Sequence, residues 1–132
     1  MPTERMQLDI SYNIKGGVVL VDEKTLLVQI EQLSHLMKQV ELWSSQPPAH
    51  HKLESQFPFC ADTLAFEEWL QFVFIPKITQ VIEHKLTLPH APQIANMAEQ
   101  VFQERQAEVS QVIEQLKRLD RSLVHWVDQE KP

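Results

Sequence analysis

The stretch FPFCADTLAFEEWLQFVFIPK, residues 57–77, decides how this chain is read. Leu64, Phe66, Trp69, Leu70, Phe72, Val73 and Phe74 form a broad apolar band that resumes after Pro76 at Ile78, Val81 and Ile82. A band this wide predicts the most enclosed helix of a bundle. Asp62 or Thr63 is expected to cap it. Glu67 and Glu68 then fall in the first turns, where carboxylates meet the positive end of the helix dipole. Pro76 removes a hydrogen bond and pushes on the preceding turn, so a kink or short break is expected there. Trp69 and Phe72, three residues apart, should share a face, with Phe74 turned elsewhere.

Three further helices follow from the same reasoning. Leu26, Ile30, Leu33, Met37, Val40 and Trp43 recur every three or four residues, giving a helix over about 23–45 capped by Asp22 and ended by SSQPP. Pro92 opens a third helix carrying Ile94, Met97, Ala98, Val101 and Phe102. The stripe Val109, Val112, Ile113, Leu116, Leu119, Leu123 and Trp126 or Val127 gives a fourth over about 106–127. One unbroken helix over 92–128 would be about 55 Å long, excessive for this size, so a turn is expected at about 103–106. The fold class is all-α: a four-helix bundle-like single domain over 23–130 with a kinked central helix. Residues 1–22 read as an N-terminal extension. Leu8, Ile10, Tyr12 and Ile14 alternate before a KGG turn and VVLV, which suits either a small hairpin or a loose tail.

Composition limits the chemistry. A chain of 132 residues buries roughly two-thirds of its unfolded surface without a metal or disulfide staple. Its two glycines are adjacent, Gly16 and Gly17, too few for a phosphate-cradling loop, and turns with positive φ should be few. Twelve basic against eighteen acidic residues give a formal charge of −6, which argues against phosphate-led nucleic-acid binding. Cys60 stands alone, excluding an internal disulfide and a cysteine zinc cluster. Neither a signal peptide nor a spanning segment is evident, and the cytoplasm is the default location.

The candidate site residues each have a plain structural alternative. A di-metal bundle needs inward glutamates with a Glu-x-x-His motif, which this chain lacks, so no metal and no cofactor are expected. His50 and His51 could share a metal but read more simply as solvated loop residues. Cys60 suits a small buried filler better than a nucleophile, and no serine nucleophile signature is present. Glu68 beside Trp69 is a conceivable acid or base. An open aromatic face beside Pro76, rimmed by Gln71 and Lys77, would suit a partner helix, a peptide or a flat ligand. The basic run Lys117, Arg118 and Arg121 reads as a solvated helix face.

The spaced pattern Leu53-x-Ser55-x-x-Pro58-Phe59-x-x-Asp62-Thr63, then Glu68-Trp69-Leu70-Gln71 and Ile75-Pro76-Lys77, resembles the YqcC-like family of small bacterial proteins. The likeness extends from about residue 25 through Trp43 to the pair Leu119 and Asp120. It implies an all-helical fold and no known catalytic residues. It also implies proximity to a tRNA pseudouridine synthase, beside which such proteins are commonly encoded. This chain departs from the pattern at Cys60 and Phe66 and in the connection between the last two helices.

These readings lead to a non-enzymatic binding or accessory protein, connected to tRNA modification through a protein partner. Catalytic residues are not expected. Ser55, Phe59, Asp62, Glu68, Trp69, Gln71 and Lys77 are the candidates for ligand or partner binding. The alternative is a small-molecule-binding protein or enzyme using a pocket beside the kinked helix. Apolar helix faces are equally compatible with a homo-oligomer seam.

Overall fold

The first helix, α1, runs Glu23–Gln39. It begins where expected: the Asp22 carboxylate accepts the Thr25 backbone N–H at 2.8 Å, satisfying one of the donors that a helix start leaves free. It ends earlier than SSQPP suggests. Glu41 adopts φ 63°, and the N–H groups of Glu41 and Leu42 return to the carbonyls of Lys38 and Met37. This is a Schellman closure, and buried Leu42 follows buried Met37 in sealing the helix end. The expected stripe is present, with Leu26, Ile30, Leu33 and Met37 buried and Val40 and Trp43 half-buried.

A computed structural model describes residues 12–15, 18–88 and 90–130. Before α1, β1 (Tyr12–Lys15) and β2 (Val18–Val21) pair antiparallel with Tyr12 opposite Val21 and Lys15 opposite Val18. This strand pair lies in the second half of the extension, while Leu8 and Ile10 lie outside the described residues. A lone hairpin is marginal in water. Here β2 packs on the last helix, and Val21 is buried.

After α1, short 3₁₀ turns at His50–Glu54 and Pro58–Cys60 lead to α2, residues 66–83. The cap of α2 corrects the expectation. It starts after Ala65, so neither Asp62 nor Thr63 caps it; instead the Glu68 carboxylate reaches back to the Ala65 N–H at 2.9 Å. Cys60 accordingly lies before the helix start, in the preceding 3₁₀ turn, and is buried.

Pro76 does not break α2. The five residues Leu70–Phe74 form a π turn, closed by the Ile75 N–H bonding to the Leu70 carbonyl. The helix then continues as Ile75–Glu83. Proline lacks an N–H and collides with the carbonyl four residues back in regular α geometry; the widened turn relieves that conflict. It also brings Trp69 and Phe74 together, their ring centroids 5.5 Å apart and the planes 25° from parallel. In an unbroken α-helix those two positions would lie about 140° apart. The expectation that Phe74 turns away from Trp69 fails for this reason.

The α3 helix is Ile94–Val101 and α4 is Gln106–Glu130, joined by a 3₁₀ turn at Gln103–Arg105, so the last two helices are separate, as their polar junction suggests. Pro92 lies just outside α3, and Gln93 is the capping position without a side-chain bond. The cap comes from α4: Asp120 accepts the Ala95 N–H at 2.8 Å. Burial pushes the Asp120 carboxyl above its ordinary range, opposed by the amides of Ala95 and Ile94.

The result is an all-α four-helix domain with a hairpin attached. Its most enclosed element is α4 rather than α2. Val109, Val112, Leu116, Leu119 and Leu123 on α4 are inaccessible, and α4 packs against α1, α3 and β2. On α2 much of the wide apolar band, including Trp69, Val73 and Val81, is only half-buried. Those residues form the wall of a cleft.

Candidate functional site

Trp69, Val73, Lys77 and Val81 stand four apart along α2, a spacing that lines side chains along one ridge. Facing them is the connection between α2 and α3, with Leu88, His90, Ala91 and Pro92. That connection departs from α2 through a second Schellman closure: Lys85 has φ 54°, and the N–H groups of Lys85 and Leu86 bond to the carbonyls of Ile82 and Val81. Between ridge and connection is an open cleft of about 640 Å³. Its floor is apolar, its rim carries Lys77 and His90, and none of its described lining residues is acidic. In a chain of net charge −6, this is a local inversion of sign.

One end of the cleft is closed by Phe59. The residue holds φ 61°, a conformation uncommon for a side chain of this size, and Cys60 follows with φ 49°. The Phe59 ring lies 4.7 Å from that of Trp69 and 6.2 Å from that of Phe66, centroid to centroid. With Phe102, 5.8 Å from Phe66, these rings form a continuous aromatic cluster under the loop. The scarcity of glycine therefore did not mean an absence of left-handed turns: Glu41, Phe59, Cys60 and Lys85 all have positive φ.

Of the seven candidate residues, the cleft gathers three: Phe59, Trp69 and Lys77. The other four are engaged in architecture. Ser55 donates its hydroxyl to the Asp62 carboxylate and accepts the Phe57 N–H at 3.0 Å, pinning the loop that presents Phe59. Thr63 adds a hydroxyl bond to the Lys52 carbonyl at 2.7 Å. Glu68 caps α2. Gln71, expected on a groove rim, is buried and bonded through both ends of its amide to the Ser44 backbone. The cleft runs from Phe59 and Trp69, where loop and helix meet, along α2 to Val81 and onto the connection before α3. Val73, Val81, Leu88, His90 and Pro92 were not singled out as site residues. The four-residue recurrence from Trp69 to Val81 was the available signal for the first two.

Other candidates resolve simply. His50 bonds Glu54 at 3.2 Å on an exposed turn. Lys117 sits 3.2 Å from Glu99 and 3.3 Å from Glu114, which hold its ammonium above the ordinary range, Glu99 first. Arg118 is bonded to Gln115 at 2.8 Å. Two residues of the basic run on α4, Lys117 and Arg118, are thus engaged by neighbours. Among the described residues no group of three or more His, Cys, Asp or Glu is gathered for a metal ion, and no helix is long and apolar enough to cross a membrane.

The family described as tRNA pseudouridine synthase C (DUF446) matches residues 25–122. The chain belongs to this family. Its YqcC-like character is equally clear from individual relatives. Protein YqcC of Escherichia coli is 29% identical over 93 residues, 70% of this chain and 85% of that protein. An uncharacterised protein of Haemophilus influenzae is 40% identical over 75 residues, 57% of this chain and 71% of that protein. The solution NMR structure of E. coli YqcC superposes with a TM-score of 0.71 at 25% identity, covering 83% of this chain and 92% of that one. A tRNA pseudouridine synthase C of Pectobacterium carotovorum is 32% identical over 59 residues, 45% of this YqcC-like chain and 16% of the synthase.

Proposed function

We propose that this YqcC-like protein is a non-enzymatic accessory protein that docks on a protein partner through the cleft beside α2, and that the partner is a tRNA pseudouridine synthase. The observation that carries the reading is the cleft itself: an aromatic and aliphatic wall left half-exposed, a rim carrying Lys77 and His90, and among its described lining residues no nucleophile–base pair or carboxylate dyad. Apolar surface held open on a small domain is a usual mark of a contact site. Support for the choice of partner comes from the Pectobacterium synthase, whose chain includes a stretch related to this one. A module found within one synthase is suited to acting beside another. The reading sets the protein in the cytoplasm with its partner. Direct contact with tRNA is disfavoured by the net charge of −6 and by the pairing of Lys117 with Glu99 and Glu114.

The test is a calorimetric titration of the purified, nuclease-treated chain with the tRNA pseudouridine synthase C of the same cell. Binding that falls at least about tenfold in Lys77→Glu, with an unchanged melting temperature, supports the reading; this is the scale on which interface anchors act. Heat-silent mixtures that also sediment separately would reject the synthase as partner.

A second reading has one observation in its favour. A volume of about 640 Å³ lies within the range of small-molecule pockets. Native mass spectrometry of the untagged protein, showing a retained ligand that Lys77→Glu releases, would move the assignment to a ligand-binding protein.

A further inference from the structure

We infer that the cleft is the larger half of a two-part groove, and that its occupant is an acidic amphipathic helix of the partner protein. The inference rests on the protein-docking reading above. A second hollow of about 140 Å³ lies on the other side of Phe59, lined by Phe66, Met97 and Val101 among others. Phe59 lines both hollows and is the ridge between them. The two are also tied together by α3: Ile94 lines the cleft, while Met97 and Val101 line the hollow. Positions i, i+3 and i+7 share one helix face, so that face of α3 runs along the groove for about 10 Å.

The proportions favour a helix. The larger space has room for two neighbouring side chains and the turn joining them, and the smaller for one. Two anchors at i and i+4 followed by one at i+7 reproduce that distribution over about 10 Å, as helices seated in apolar grooves do. Val101 is 44% exposed at the far end, leaving apolar surface for the last anchor to cover. Charge complementarity gives the sign. Lys77 and His90 are exposed on the cleft rim, and neither space has an acidic lining residue among those described. An acidic side chain on the occupant would therefore meet a cation without a competing carboxylate in the wall.

The test is selection of random 16-residue peptides displayed on phage against the full chain. The winners are then measured by fluorescence anisotropy against Lys77→Glu, Val73→Glu and Val101→Glu. Lys77 and Val101 are exposed, so those two variants keep the test usable if Val73→Glu unfolds. The expected winners carry apolar residues at i, i+3 or i+4, and i+7 with at least one Asp or Glu. They should lose tenfold or more in affinity to Lys77→Glu and to Val101→Glu. Placing Lys at the peptide's acidic position should restore binding to Lys77→Glu. Winners sensitive to Lys77→Glu but indifferent to Val101→Glu would overturn the two-part groove while leaving docking at the cleft intact. Winners without helical periodicity would overturn the helix. A chain that sediments as a dimer, and as a monomer after Val101→Glu, would assign the groove to a second copy and likewise overturn it. If no winner responds to any of the three variants, protein docking at this cleft falls as well.

Discussion

The side-chain amide of Gln71 holds both backbone groups of Ser44: the Ser44 N–H donates to Oε1 at 2.8 Å, and Nε2 donates to the Ser44 carbonyl at 2.9 Å. The residue therefore fastens the chain leaving α1 onto the π turn of α2. Replacing Gln71 with Ala would remove both partners at once. The expected loss is about 2–3 kcal/mol, the scale for backbone groups left without their bonds. Urea unfolding measures it. A loss below about 0.5 kcal/mol would mean that water replaces the clamp without cost.

Phe59 separates backbone strain from ring packing. Glycine relieves the left-handed conformation but removes the ring; alanine removes the ring and keeps the strain. Both variants should be less stable than the native chain, with Phe59→Gly more stable than Phe59→Ala by about 1 kcal/mol. Equal melting temperatures for the two would indicate that the loop relaxes once the ring is gone.

The pH dependence of Asp120 has a definite sign. Burial raises its folded-state pKa above that of the unfolded chain, so the native state binds the proton more tightly. The favourable contribution is fully present below the ordinary carboxylate value and is lost as pH rises through the raised folded value. Asp120→Asn keeps an oxygen for the Ala95 N–H and removes the titration. Relative to that variant, the native protein should lose stability as pH rises through this window, becoming less favoured at neutral pH than in mild acid. Thermal melts from pH 4 to pH 7 test it; parallel curves would remove Asp120 as the source.

Gln129 performs for the hairpin what Gln71 performs for Ser44. Its Nε2 donates to the Val21 carbonyl at 2.9 Å, and its Oε1 accepts the Val21 N–H. Gln129→Ala should accelerate amide exchange at Val21 at least about tenfold, corresponding to a local loss of about 1.4 kcal/mol. Unchanged exchange would assign hairpin retention to the burial of Val21 alone.

The helices were legible because their determinants are local. The stripes on α1 and α4 recur with the helical period, and the residues that carry them are buried. The alternation before α1 suited a hairpin or a loose tail alike, and nothing in it shows that Gln129, more than a hundred residues later, bonds Val21. Helix ends were less legible. Two helices close at Glu41 and Lys85 through left-handed residues that are not glycine, and α3 is capped by a carboxylate 25 residues away. The candidate site was half legible for a related reason. Aromatic spacing on α2 pointed to Trp69, and the family pattern to Phe59 and Lys77. But Glu68 and Gln71 have the same composition whether they face a ligand or the backbone. Only three-dimensional proximity reveals that both are consumed by backbone bonds.

The π turn at Leu70–Phe74 makes the cleft depend on how many residues α2 has as well as on which they are. It stores one residue more than a regular helix would need between the same hydrogen-bonded ends. Deleting a residue there, Phe72 for instance, would let the turn close as regular α-helix with the two halves of α2 still in phase, whereas inserting one would change that phase by about 100°. After such an insertion Trp69 and Lys77 would keep their identities and lose their common wall. A survey of single substitutions can leave that dependence unseen, because every one of them preserves the length.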